Sequence, residues 1–458
     1  MSDRKMRDAT LAELSDLLGD RLLTSAESCL DYAGDASPAS GGRPLAVVEA
    51  RTVEDVSAAL KWASARQVPV SVRGAGTGLA GGACAYDGGL VISLAGMTAI
   101  REIDPADRIA VVEAGAITAD IDRAAAEVGL MYAPDPASYA TSTIGGNIAT
   151  NAGGLRCVRY GVTRDSVAGL EVVLADGSVI TTGGRTRKNT AGYDLTGVFV
   201  GSEGTLGVVT AAILRLVPRP VDEPLTFRAS FPSMDALGGA VSGIMGSPVT
   251  PLVLEFMDAA TIDMVESYRP AGLDRSSAGV LLGQLTGVDA EEQFAVVETA
   301  MVAAGARKVE RASGERGEEL LAARRLVTAA ATARGPEYVC DVAVPPSRLA
   351  EMLEQVAAVA GRNGVPISVA GHAGDGNLHP SIALPDTSVE TLDGAERISD
   401  EIAVAAIALG GTVTGEHGIG SLKLGLLARQ LDEPTMAAHR RLKAAFDPLG
   451  ILTPGRAV

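Results

Sequence analysis

The chain has 458 residues, a length that suits two or three domains better than one core. Its formal net charge of −17 argues against nucleic acid as a partner, because that affinity comes largely from basic side chains neutralising phosphates. Apolar residues at 47% and charged residues at 21% exclude disorder and collagen-like folds; glycine, with 54 residues, is the outlier.

In chain order, residues 8–24 read as an amphipathic helix, with Leu11, Leu14, Leu17, Leu18 and Leu22 near a 3.6-residue period. Residues 1–8 carry no apolar stretch of signal type, and no apolar run approaches the ~18 residues of a membrane span. Four scattered cysteines (Cys29, Cys84, Cys157 and Cys340) form no CxxC pair, so an iron–sulfur cluster or thiolate cage is not expected. Together these features predict a protein of the reducing, cytoplasmic compartment with no transmembrane segment. Cys157 is expected to be a small buried apolar residue.

Residues 47–50 read as a strand. Thr52 and Asp55 then form a capping box for a helix running to Arg66. A second strand, 68–72, enters a glycine-rich run. Further strands are expected over 90–94, 109–113, 170–174, 178–182 and 207–216, with 119–127 the clearest helix. Pro218, Pro220 and Pro224 mark a domain boundary. Beyond it, strands 225–231, 252–256, 280–285, 338–344 and 367–370 alternate with helices 233–245, 290–304, 317–333, 347–362 and 389–409. That order predicts an α+β domain with helices on one face of a sheet. Two short helices and a tail fill 421–458.

Gly76, Gly78 and Gly81 spell the G-x-G-x-x-G dinucleotide fingerprint, which has meaning only where a helix begins inside it. Here the loop runs on through Gly82, Gly88 and Gly89 into the strand 90–94, so a Rossmann fold is not expected. The glycines still supply close-approaching backbone N–H groups of the kind a pyrophosphate nest needs, with Arg73 as a positive charge at its mouth. Two more glycine clusters follow, one with Gly145, Gly146, Gly153 and Gly154, the other with Gly201, Gly204 and Gly207.

Only four histidines occur, and three fall in two glycine-rich segments, 371–379 and 415–420. His372, His379 and Glu416 offer two imidazoles and a carboxylate, a donor set suited to Zn²⁺ or Mn²⁺ with positions left for substrate. His439, beside Arg440 and Arg441, reads as a solvated residue.

Taken together, the stretches 73–80, 134–161, 188–195, 201–207, 371–380 and 415–420 give the chain its resemblance to the FAD-linked 2-hydroxy-acid dehydrogenases. These include the glycolate oxidase flavin subunit and the D-lactate and D-2-hydroxyglutarate dehydrogenases, within the vanillyl-alcohol-oxidase type of flavoprotein. The resemblance implies an α+β protein. Residues 1–218 would form a two-part FAD-binding domain, and 219–420 a substrate (cap) domain with an antiparallel sheet. Residues 421–458 would pack back on the FAD domain. It also implies non-covalent FAD, because Thr77 and Gly78 stand where covalently flavinylated relatives often carry a His.

Carried over residue by residue, the FAD contacts would be Arg73, Gly74, Ala75, Gly76, Thr77, Gly78, Pro134, Thr143, Gly145, Gly146, Asn147, Gly153, Gly154, Glu203 and Gly204. The resemblance makes His372, His379 and Glu416 the ligands of one divalent metal and His417 the catalytic base. Arg324 and Thr328, four apart on a predicted helix, and Asn377 would hold the substrate. Arg325 reads as a surface charge, and Asp375 as the group that orients a ligand imidazole. The stretch 337–341 lacks the lysine of relatives that take D-2-hydroxyglutarate, which favours a small monocarboxylate, glycolate or D-lactate.

The expected reaction is oxidation of a D-2-hydroxy acid to the 2-oxo acid. Alternatives are a D-2-hydroxyglutarate dehydrogenase or an O₂-using FAD alcohol oxidase of the same fold. With no cysteine cluster to pass electrons on, the expected acceptor is an electron-transfer flavoprotein, quinone, cytochrome or separate iron–sulfur subunit. Such a partner would account for any peripheral membrane association, and a homodimer is compatible with the sequence.

Overall fold

The computed structural model describes residues 3–458, with side chains from Leu11 onward. Met1 and Ser2, at the head of the stretch read above as lacking an apolar signal, lie outside them. The chain divides into two compact units. One comprises Met1–Gly153, Val162–Arg219 and Glu416–Val458; the other comprises Gly154–Gly161 and Pro220–Gly415. Among the described residues no helix is long and apolar enough to cross a membrane.

The first unit holds a four-stranded sheet in the order Leu22–Leu23, Ala46–Glu49, Leu90–Ser93, Val70–Arg73. The last three strands run parallel and the first antiparallel. Helix Val53–Arg66 connects two of the parallel strands and begins at the predicted capping box. Thr52 Oγ1 accepts from the Asp55 N–H at 3.3 Å, and Asp55 Oδ2 accepts from the Thr52 N–H at 3.1 Å. Its inner face (Val56, Ala59, Leu60, Trp62 and Ala63) packs with Val48, Val70, Leu90 and Ile92 in one core.

The helix expected over 8–24 is shorter at its C-terminal end. It spans Asp3–Leu18, a 3₁₀ turn covers Gly19–Arg21, and Leu22–Leu23 is a strand paired with Val48 and Val47. Leu22 fits either period, and the strand prevails because the sheet edge satisfies its backbone groups.

The second sheet of this unit is antiparallel, in the order Ile100–Asp104, Ile109–Glu113, Val208–Arg215, Val167–Val173, Val179–Gly183. Ile100–Asp104 escaped the sequence reading because it is a half-exposed edge strand carrying Arg101, Glu102 and Asp104.

The second unit is built on an antiparallel sheet. Its order is Lys308–Ala312, Leu225–Phe231, Gly279–Leu285, Val253–Asp258, Ile367–His372, Asn377–Ala383, Glu337–Val339, with Val342–Ala343 also paired to Asn377–Ala383. Lys308–Ala312, Asn377–Ala383 and the helix Ala259–Tyr268 were not foreseen. Two further corrections bear on the site. The helix expected over 317–333 is two helices, Gly314–Arg325 and Val327–Arg334, interrupted at Leu326. The strand expected over 338–344 is broken at Cys340 and Asp341, where the chain turns a carboxylate inward.

Candidate active site

In the first unit the glycine run 74–82 forms one wall of an open cleft. No helix starts between Val70–Arg73 and Leu90–Ser93, as the rejection of a Rossmann turn required. The helix start lies in the second glycine cluster instead. Thr143 caps the helix Ile144–Thr150 by accepting from the Gly146 N–H, and Gly145 and Gly146 form its first turn in the cleft wall. Only glycine fits at two of these points. Gly76 has φ +73°, and a Cβ on Gly145 would lie 2.8 Å from that of Ala114.

Glu203 closes the far side. It adopts φ +51°, costly for a non-glycine residue, and its carboxylate accepts the N–H groups of Ile419 and Gly420, each at 2.8 Å. Burial pushes its carboxyl above the ordinary 4.5, against the pull of those two hydrogen bonds. This grip sets the segment from 416 to 420, so that Glu416 and His417 both line the cleft.

Of the expected flavin contacts, Gly74, Ala75, Gly76, Thr77, Gly78, Thr143, Gly145, Gly146, Asn147, Gly153, Glu203 and Gly204 line the cleft. Three are placed elsewhere. Arg73 does not line the cleft itself; its guanidinium packs against Gly76 of the loop and donates to the Gly34 carbonyl. Pro134 is buried beside the cleft, whose wall there is Pro136, Ala137 and Ser138. Gly154 opens the short excursion that belongs to the second unit. A wall of backbone N–H groups with few Cβ atoms, plus a helix start, fits FAD with its pyrophosphate.

In the second unit, strands Ile367–His372 and Asn377–Ala383 pair with His372 opposite Asn377 and Ala370 opposite His379. His372 and His379 are therefore diagonal neighbours on one face. Their rings meet edge to face at 5.3 Å between centroids. On the neighbouring strand Val253–Asp258, Glu255 is opposite His372, fully buried, and takes His372 Nδ1 at 2.7 Å. The other Glu255 oxygen accepts from Arg324 Nε at 2.8 Å. With Nδ1 held by a carboxylate, Nε2 is the ring nitrogen His372 would present to an ion, the arrangement typical of histidine metal ligands. The two imidazoles thus fit a divalent metal.

A second buried carboxylate, Asp341, accepts from Asn377 Nδ2 at 2.8 Å, Thr414 Oγ1 at 2.7 Å and the Gly415 N–H at 2.9 Å. It lies 4.0 Å from His379 Nδ1. Gly415 is the last residue of this unit, and Glu416 is the first of the next segment of the other.

Several side chains depart from the sequence reading. Asp375 is exposed at the hairpin tip, and orienting His372 falls to Glu255. Thr328 is exposed beyond the break at Leu326, so it does not share a buried face with Arg324. Arg324 is mostly buried against Glu255, whereas Arg325 is a surface charge paired with Glu318. Cys157 is buried, His439 is exposed, and none of the four cysteines is in a disulfide.

Sequence reasoning missed Glu255 and Asp341. Each had a signal: a charge flanked by Val253, Leu254, Phe256 and Met257 in a strand, and one acid in a run of apolar residues from Val339 to Val344.

Comparison with known proteins accords with this geometry. Residues 44–183 match the FAD binding domain family, and residues 225–457 match the C-terminal domain of FAD linked oxidases. The chain is 43% identical over 433 residues to the glycolate oxidase subunit GlcD of Bacillus subtilis, covering 93% of this chain and 92% of that protein. It is 36% identical over 418 residues to a D-lactate dehydrogenase of Archaeoglobus fulgidus, covering 90% and 91%. Among solved structures, p-cresol methylhydroxylase with substrate bound superposes with a TM-score of 0.81 at 18% identity, over 100% of this chain and 97% of that one. The 4-ethylphenol oxidase of Gulosibacter chungangensis gives 0.79 at 21%, over 100% and 98%. These likenesses place the fold in the vanillyl-alcohol-oxidase type.

Proposed function

The chain belongs to the family of FAD-linked oxidases and is an oxidoreductase; on that premise we propose that it oxidises a small D-2-hydroxy acid, D-lactate or glycolate, to the 2-oxo acid. The observation that carries this reading is His417 in the wall of the glycine-lined cleft, in a chain 43% and 36% identical to proteins named for glycolate and D-lactate. Bound FAD supplies the two-electron acceptor for the substrate Cα hydride.

His417 takes the hydroxyl proton; imidazole, with an ordinary pKa of about 6.5, suits that task at neutral pH. His372 and His379 would hold a divalent ion, Zn²⁺ or Mn²⁺, with Glu416 as the third ligand the resemblance implies. Such an ion lowers the pKa of a coordinated hydroxyl. Arg324, its Nε engaged by Glu255, contributes a guanidinium for the substrate carboxylate. Asn377 holds Asp341 in place, which supports the residues around His379. Electrons leave to an external acceptor: an electron-transfer flavoprotein, a quinone, a cytochrome or an iron–sulfur subunit.

The test is dye-linked turnover by purified, flavin-loaded protein over glycolate, D-lactate, D-2-hydroxyglutarate and D-malate. Turnover with the first two is expected. No turnover with any of the four would overturn the proposal, and peroxide formation under air with simple alcohols would favour an O₂-using oxidase.

A further inference from the structure

The cleft presents a charge problem. Its wall includes the carboxylates of Asp35, Glu203 and Glu416, and among the described residues no lysine or arginine lines it. The FAD pyrophosphate is a dianion, and one cation, Arg73, packs against Gly76 from outside the cleft while it donates to the Gly34 carbonyl.

A second guanidinium stands behind the glycine loop. Arg456, in the tail, is 6% exposed. It donates from Nη1 to the Gly82 carbonyl at 2.9 Å and stacks over the Tyr86 ring at 4.2 Å, while the Tyr86 hydroxyl is pinned to the Pro454 carbonyl at 2.8 Å. Among the described residues no carboxylate forms an ion pair with it. Asp35 accepts the Ala83 N–H at 3.1 Å, so the Gly82–Ala83 peptide is gripped at both ends, and the buried Glu203 carboxyl feels the Arg456 charge through space.

One carbonyl, one ring and a through-space carboxyl leave the buried guanidinium without a hydrogen-bonded counter-ion among the described residues. Nor is the guanidinium needed to seat the tail. The Val70 N–H donates to the Ile451 carbonyl, the Thr453 N–H to Val70, and the Ala457 N–H to Gly420.

We propose that Arg456 is a cofactor-positioning residue, a buried counter-charge for the FAD pyrophosphate that acts from behind the Gly82 end of the glycine loop. The proposal rests on the flavin reading above. Electrostatics in a low-dielectric wall reaches past direct contact, and the grip on Gly82 keeps charge and loop in register.

The test is equilibrium binding to apoprotein, following flavin fluorescence, with FAD and riboflavin as paired probes. Arg456→Gln should weaken FAD about tenfold or more while riboflavin, which lacks the pyrophosphate, changes less than about twofold. Arg456→Lys, keeping the charge, should recover most of the FAD affinity. FAD binding by wild type should weaken with added salt more steeply than binding by the glutamine variant.

Equal loss for both flavins in Arg456→Gln, or no loss for either, overturns the proposal. If Arg456→Gln does not fold, Arg456→Lys and the wild-type salt series decide the matter. A wild-type apoprotein with no affinity for FAD overturns the flavin reading as well.

Discussion

Replacing Glu255 by Gln tests the assignment of the second unit's histidines. Glu255 is fully buried and joins His372 Nδ1 at 2.7 Å to Arg324 Nε at 2.8 Å. The amide keeps one acceptor oxygen, so one bond survives and the other donor meets an NH₂ group. A lost charge-assisted bond costs about 1.5–3 kcal/mol, and breaking a buried pair costs about 3–5 kcal/mol in all. Arg324 keeps 15% side-chain exposure and can recover some hydration, which favours the lower figure. A loss of about 3 kcal/mol in a unit of this size lowers the melting temperature by about 6–12 °C. If Glu255 also orients His372 for a metal, Zn²⁺ or Mn²⁺ affinity falls by roughly 10–100-fold. Thermal unfolding by circular dichroism and calorimetric metal titration read the two effects. A variant less than about 1 kcal/mol destabilised, with metal affinity intact, would refute the reasoning.

His417→Ala should retain FAD but reduce it with substrate some 10²–10⁴-fold more slowly, since only proton transfer is lost; flavin release from the variant would point to a structural role. For Glu203, the folded-state carboxyl lies above its ordinary 4.5, so the folded apoprotein holds that proton more tightly than the unfolded chain. Its contribution is fully present below that value and is lost as pH rises through the raised one. Urea unfolding from about pH 4 to about pH 8 should show Glu203→Gln lacking this downward slope, and parallel curves would count against it. Thr52→Ala removes half of the capping box of Val53–Arg66 and should cost about 1 kcal/mol by denaturant unfolding.

The sequence was most legible where local chemistry alone decides the structure. Thr52 and Asp55 announced a helix start, Leu225–Phe231 declared itself by β-rich alternation, and the absence of any helix signal after Gly82 ruled out a Rossmann turn. It was least legible where a partner distant in sequence supplies the reason. Glu255 and His372 are 117 residues apart and meet only because their strands pair. Asn377–Ala383 reads as loop, with His379 and Pro380 inside it and a glycine turn before it, until its two neighbours give it a ladder. Arg73 looked like a cofactor cation, and the Gly34 carbonyl that holds its guanidinium against Gly76 is visible only in the folded unit. The break at Leu326 follows no Gly or Pro, so the 3.6-residue pattern ran straight through it.

The central claim, that bound FAD accepts a hydride from a 2-hydroxy acid whose proton goes to His417 beside a divalent ion, is tested most directly by anaerobic mixing. Metal- and flavin-loaded protein is mixed with D-lactate, with glycolate and with propionate, and the flavin absorption is followed. The expected result is rapid bleaching by the two hydroxy acids, none by propionate, and loss of bleaching after chelation with recovery on adding back Zn²⁺ or Mn²⁺. Oxidised flavin that persists with both hydroxy acids, or bleaching indifferent to chelation, would contradict it.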